Sequence, residues 1–117
     1  MNVKNVLIVE DDPILLFVNE KLITNLGHTI AGTARTGPEA IDKAKSCNPD
    51  IILIDIRLLG PMDGIEAVCE IRKFSNVPIV FVSGNSDPKT FERAKETEIK
   101  AFLTKPVSLE MLKEILD

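Results

Sequence analysis

The chain contains no tryptophan and no tyrosine, and only one histidine and two cysteines among its 117 residues. Each shortage narrows what it can do. The only aromatics are Phe17, Phe74, Phe81, Phe91 and Phe102, and without tyrosine, tryptophan or a basic patch they do not suggest a base-stacking platform. They are expected in the core, with Phe102 set apart below. Cys47 and Cys69 are too few and unpatterned for a disulfide framework, so each reads as a small thiol, buried or half-buried, in the reducing cytoplasm. Positive charge is also short. Lys and Arg total 14 against 18 Asp and Glu, a net charge of −4, which is poorly suited to holding a phosphate backbone. No direct nucleic-acid binding by this domain is expected. No apolar run approaches the roughly 20 residues of a membrane span, so no membrane insertion is expected. The opening Met1-Asn2-Val3-Lys4-Asn5 is not a signal peptide, because Val6-Leu7-Ile8-Val9 is too short and runs into acids.

The balance that remains, 44% apolar and 27% charged residues, suits one soluble domain over residues 1–117 with a core needing no disulfide or structural metal. Short apolar runs recur at Val6–Val9, Ile51–Ile54, Pro78–Val82 and Ala101–Leu103, with a weaker one at His28–Ala34. The runs in the middle of the chain are almost continuously apolar, as in strands covered on both faces. Helices fall between them. Asp12-Pro13 starts the first, with Leu15, Val18, Leu22 and Leu26 on its inner face and Gly27 as its stop. Thr36 and Glu39 have capping-box spacing for the second, which turns Ala40, Ile41 and Ala44 inward. The third is predicted from about Asp63 to Phe74 with Ile65, Val68 and Cys69 inward. Asp87-Pro88 starts the fourth, whose apolar face, Phe91 and Ala94, is thin. Ser108 caps the fifth, with Leu109, Leu112, Ile115 and Leu116 on one side. Strict βα alternation implies a parallel sheet between helices. Five strands in so short a chain point to the flavodoxin-like (βα)5 sandwich of strand order 2-1-3-4-5.

In such a fold, ligands bind beyond the carboxyl ends of the strands. Those ends carry Glu10-Asp11-Asp12, Asp55, Ser83 and Lys105-Pro106. Three carboxylates from neighbouring strands, Glu10, Asp11 and Asp55, repel one another unless a cation neutralises them. Hard oxygen ligands with room for water suit Mg²⁺, for which Mn²⁺ can substitute. Lys105 adds a positive charge and Ser83 a hydroxyl. Together these groups form a phosphoryl-transfer site, in which a carboxylate can be the nucleophile. Singly, each has an ordinary reading. An acidic run after a strand is commonly a solvated loop with a helix cap, and Asp12 is assigned to capping. Lys-Pro after a strand is commonly a turn. His28, away from the crevice, reads as a surface or packing residue. The joint pattern, with Asp55 directly after four apolar residues, is what points to a site.

The segments Val6–Pro13, Pro49–Ile56, Met62–Glu66, Pro78–Ser83 and Lys105-Pro106 resemble, in order and across the whole chain, the receiver domains of two-component response regulators. The resemblance implies that Asp55 is the phosphoacceptor. It makes Asp11 a direct ligand of Mg²⁺, Glu10 its acidic neighbour, and Arg57 the donor of a backbone carbonyl to the metal. It also implies that Ser83 is the switch hydroxyl, Lys105 the lysine that pairs with the phosphate, Phe102 the switch aromatic, and the Lys105–Pro106 bond cis. The implied partners are a sensor histidine kinase or histidine phosphotransfer protein upstream and an effector domain or protein downstream. The loop Arg57–Gly64 looks one residue longer than the commonest pattern, Phe102 stands for the commoner tyrosine, and Ser83 stands for threonine.

Three functions compete: a phosphoacceptor switch, including the phosphorelay module of a hybrid kinase; an aspartate-nucleophile phosphohydrolase; and an interaction module that keeps only the fold. The hydrolase would carry a second Asp two residues after its nucleophile, where this chain has Arg57. The set Asp11, Asp55, Ser83 and Lys105 is intact, which argues against the third. The expectation is therefore a signalling domain, not an enzyme, that is cytoplasmic and either stands alone or forms one module of a longer protein.

Overall fold

The computed structural model describes residues 2–84 and 87–117. Its elements alternate without exception: β1 (Asn5–Val9), α1 (Pro13–Asn25), β2 (Thr29–Ala34), α2 (Gly37–Cys47), β3 (Ile51–Asp55), α3 (Gly64–Ile71), β4 (Ile79–Ser83), α4 (Pro88–Lys95), β5 (Ala101–Thr104) and α5 (Leu109–Leu116). The five strands form one parallel sheet of order β2-β1-β3-β4-β5, as the alternation requires.

The continuously apolar strands are buried on both faces, and their odd and even residues separate into two cores. Leu7, Val9, Ile52, Ile54, Ile79 and Phe81 face α2, α3 and Ala94 of α4. Val6, Ile8, Ile51, Leu53, Val80 and Val82 face α1 and α5, where they meet Ile23, Leu112 and Leu116. Period-two alternation in a double-sided sheet assigns each side chain to one layer.

Local signals set the helix boundaries. The Asp12 carboxylate accepts the backbone N–H groups of Ile14 and Leu15, with Pro13 following. Gly27, at φ +89°, ends the first helix in a conformation that a Cβ would strain. Ser108 caps α5 through the Met111 N–H. Asp63 and Glu66 form a reciprocal capping box on α3. At α2 the expected box is altered. Thr36 accepts the Glu39 N–H, but the Glu39 carboxylate reaches the N–H of Arg35, one residue further back.

Several helix faces differ from expectation. In α1, Leu15 and Val18 are exposed, while Asn19 and Ile23 are buried and Leu16, Leu22 and Leu26 pack beside them. The helix is apolar nearly all round, so its pattern does not define which stripe turns inward, and Ile14 and Phe17 are left at 72% and 59% exposure. In α3, Ala67, Val68 and Ile71 turn inward and Cys69 faces solvent; the helix ends at Ile71, followed by a turn. Phe17, Phe74 and Phe91 are exposed, so of the five phenylalanines only Phe81 is fully core. His28 is a packing residue. It is buried, its Nδ1 accepts the Lys4 N–H, and its Nε2 lies 3.5 Å from Asp117 Oδ1.

Past the end of α3, the Arg72 guanidinium donates to the carbonyls of Ser75, Val77, Thr97 and Glu98. It thereby ties the segment after α3 to the segment after α4.

At Gly64 the start of α3 lies close against the end of β3. Its N–H donates to the Ile56 carbonyl at 2.6 Å, and a Cβ at this position would collide with the Asp55 carbonyl oxygen. Backbone cannot yield as a flexible side chain can, so Gly64→Ala should destabilise the domain by about 2–3 kcal/mol. Urea unfolding checks this, and a variant as stable as the parent would show that α3 is free to shift.

Candidate functional site

The carboxyl ends of β1, β3, β4 and β5 bring together Glu10, Asp11, Asp55, Ser83 and Lys105 around a cavity of about 470 Å³. Strand register does most of the placing. β1 and β3 are paired up to Val9 and Ile54, so Glu10-Asp11 and Asp55 leave adjacent strands at one level. Ser83 closes β4 opposite Thr104, and its carbonyl accepts the Lys105 N–H at 2.9 Å. The Lys105–Pro106 bond is cis.

Asp55 is buried, with 4% of its surface exposed. Its Oδ2 lies 2.7 Å from the Lys105 ammonium, and its Oδ1 accepts the Arg57 N–H at 3.2 Å. Lys105 also stands 3.3 Å from Glu10, whose other oxygen accepts the Asp12 N–H. Burial alone would pull the Lys105 pKa down, but the Asp55 and Glu10 carboxylates outweigh it and hold the ammonium above its ordinary value. Glu10 goes the other way. Burial, joined by the charge of Asp55, pushes its carboxyl up to about 7, against the lowering effects of the Asp12 N–H and Lys105. One ammonium does not neutralise this crevice.

The donor set fits a small hard dication. Glu10, Asp11 and Asp55 each offer a carboxylate oxygen, and these atoms lie within 4.8 Å of one another. They are oxygen ligands only, and the open cavity leaves room for water, as Mg²⁺ prefers. The Arg57 side chain is exposed at the rim. Phe102 lies outside the crevice, half-buried, with its ring edge-on to Phe91 at a centroid distance of 5.3 Å. Asp12 is occupied by its cap, and His28 lies beside Lys4 and Asp117, away from the cavity.

Sequence reasoning did not single out Thr90 and Arg35. Thr90, in the first turn of α4, lines the cavity. Arg35, just after β2, donates through Nε and Nη2 to the Asp11 carbonyl at 3.2 and 2.8 Å. A side chain that bonds to main chain leaves no motif; the only signal was its place at a strand end.

The Glu10 shift has a sign that can be measured. Folded Glu10 titrates at about 7 and an unfolded glutamate near its model value of 4.5. Between those pH values the folded state holds a proton that the unfolded state has released. This contribution is therefore fully present below pH 4.5 and lost as pH rises through 7, by up to about 3 kcal/mol. Glu10→Gln should remove that slope and be the more stable form at pH 8. Urea unfolding of both proteins in EDTA across pH 5–8 checks it, and parallel curves would sink the assignment.

The chain matches the family model of the response regulator receiver domain over residues 6–117. It is 36% identical over 113 residues to the probable C4-dicarboxylate response regulator DctR of Halalkalibacterium halodurans, covering 95% of this chain and 49% of that protein. It is 34% identical to the chemotaxis protein CheY of Thermotoga maritima, covering 97% of this chain and 95% of CheY. A crystal structure of the signal receiver domain of a modulated diguanylate cyclase from Desulfovibrio desulfuricans G20 superposes with a TM-score of 0.90 at 34% identity, covering 97% and 90% of the two chains. The chain spans about half or less of the length of several curated regulators that it matches. By fold, by the match across residues 6–117 and by these relatives, the chain belongs to the response regulator receiver domain family.

Proposed function

We propose that this domain accepts a phosphoryl group on Asp55 from a phosphohistidine donor, a sensor histidine kinase or histidine phosphotransfer protein. We propose that it passes the event on as a change of surface shape. The observation that carries this reading is the contact of the buried Asp55 carboxylate with the Lys105 ammonium at 2.7 Å, beside two further acids. A buried carboxylate at the end of an apolar strand is costly even when paired, and one set beside two further acids is poorly placed for a structural role alone, so its position calls for chemistry.

In the transfer, an Asp55 oxygen attacks phosphorus. The P–N bond breaks, and its electron pair stays with the donor imidazole. Lys105 starts paired with Asp55 and can swing onto the phosphoryl oxygens, so its charge is compensated at both ends of the step. The Ser83 hydroxyl, at the end of β4, supplies a donor from the other side. Asp11 and Asp55, the Arg57 carbonyl and Glu10, acting through water, would hold Mg²⁺ or Mn²⁺. A bound dication would neutralise charge building on the transferring oxygens. Hydrolysis of the aspartyl phosphate would need a base for water. Arg57, two residues after Asp55, offers none, which favours a phosphoacceptor over a phosphohydrolase. A slow self-dephosphorylation is all that is expected.

For the output, Ser83 moving towards the phosphoryl group would free space beneath β4, and Phe102 would turn into it from β5. Burying more of the ring favours that arrangement by about 1–2 kcal/mol. An effector domain or protein would then read the face made by α4, β5 and α5.

Acetyl phosphate with Mg²⁺ should give an acid-stable, alkali-labile adduct at Asp55. Asp55→Asn should abolish it, and Asp11→Asn should weaken Mg²⁺ binding, whereas Asp12→Asn, an equivalent cap, should not. Labelling of Asp55→Asn at Ser83 or His28 would mean that the nucleophile is misassigned. Beryllofluoride, a mimic of the aspartyl phosphate, should shift NMR signals of Ser83, α4 and Phe102 as well as those next to Asp55. Ser83→Ala should shrink the distant shifts. A response confined to the crevice would replace the switch with a simple phosphate relay.

A further inference from the structure

We propose that Arg35 is a positioning residue of the cation site: its guanidinium grips the Asp11 main chain and fixes the direction in which the Asp11 carboxylate enters the crevice. This rests on reading the crevice as an Mg²⁺ site.

Two of the fork's N–H groups converge on one oxygen, the Asp11 carbonyl, at 2.8 and 3.2 Å. Such a planar fork sets an orientation that a single rotating donor does not. The peptide units around Asp11 are pinned as well. The Glu10 N–H donates to the Ala34 carbonyl at 3.0 Å, which locks the approach to β2, and the Asp12 side chain is committed to the α1 cap. The Asp11–Asp12 peptide between them is held at its N–H by the Glu10 carboxylate and at its carbonyl by Arg35, so that Arg35 is the side chain from outside this loop that fixes its plane.

Arg35 is itself held. Its N–H donates at 2.6 Å to Glu39, whose own N–H donates to Thr36. The altered capping box of α2 thus serves the neighbouring loop, because the carboxylate that would have closed on Thr36 braces Arg35 instead. An exposed arginine bonded to a main-chain carbonyl forms no ion pair among the described residues, so geometry rather than charge pairing is its contribution.

Geometry and charge predict opposite signs for its removal. A positive charge near a dication weakens binding, so on charge alone Arg35→Ala would bind Mg²⁺ more tightly. If Arg35 positions Asp11, the same variant binds more weakly, by roughly tenfold, the low end of what outer-shell partners of metal ligands contribute. Arg35→Lys keeps the charge without the fork and should also weaken binding, by less.

The experiment is Mg²⁺ titration of ¹⁵N-labelled wild type, Arg35→Ala and Arg35→Lys, followed at the Asp11, Asp55 and Lys105 amides, with metal-free spectra and urea midpoints in EDTA as controls. The expected result is Mg²⁺ affinity falling in the order wild type, Arg35→Lys, Arg35→Ala, with unchanged urea midpoints and metal-free spectra altered only around residues 10–12 and 34–39. Affinity in Arg35→Ala equal to or tighter than wild type overturns the proposal, while wild-type Mg²⁺ binding and labelling of Asp55 leave the crevice reading intact. Metal-free spectra of both variants altered beyond residues 10–12 and 34–39, or lowered urea midpoints, would also overturn it, because Arg35 would then be a residue of the fold. Failure of the wild type itself to bind Mg²⁺ overturns the crevice reading and this proposal together.

Discussion

Uncompensated negative charge at the carboxyl ends of the central strands is the constraint around which this molecule is arranged. Glu10, Asp11 and Asp55 converge within 4.8 Å, and one ammonium, Lys105, stands against them. Buried like charges are costly unless paired. The cost falls on Glu10, whose carboxyl pKa burial and then the charge of Asp55 push up to about 7. Much of what sets the distance between these groups is main chain: the β1–β3 and β4–β5 registers, the bond from the Lys105 N–H to the Ser83 carbonyl, and the close approach of Gly64 to Asp55. The two apolar layers hold that main chain rigid. A core of this kind contributes nothing chemical, but it keeps three carboxylates where water alone would let them separate.

Much of this was legible without coordinates, for a physical reason. A strand buried on both faces must be apolar throughout, so its first polar residue announces its end. That rule located Glu10, Asp55 and Ser83, and the alternation of strands and helices put those ends side by side. Caps were legible where side chain and backbone are close in sequence, as at Asp12 and Ser108.

What was not legible shares a different cause. Helix α1 carries apolar residues on nearly every side, so no periodicity separates Leu15 and Val18, which are exposed, from Ile23, which is buried. Cys69 sits one residue beyond the inward stripe of a helix shorter than predicted. Arg35 and Arg72 act on carbonyls that every residue possesses, and a bond to main chain imposes no residue type on its partner. Glu39 had the expected spacing and chose the neighbouring N–H.

The Arg72 clamp bears on how α4 can move. The four carbonyls it holds include Thr97 and Glu98, just past the last turn of α4, and Arg93 is joined to Asp63 on the same half of the helix. The opposite end begins at the cavity, where Thr90 lines the wall. A rod fastened near one end and met by a force at the other does not slide along its axis; it tilts about the fastening. Helix α4 is in this sense held like a lever with its fulcrum at Arg72, and a displacement at the crevice would change its angle along the surface that it shares with Phe102.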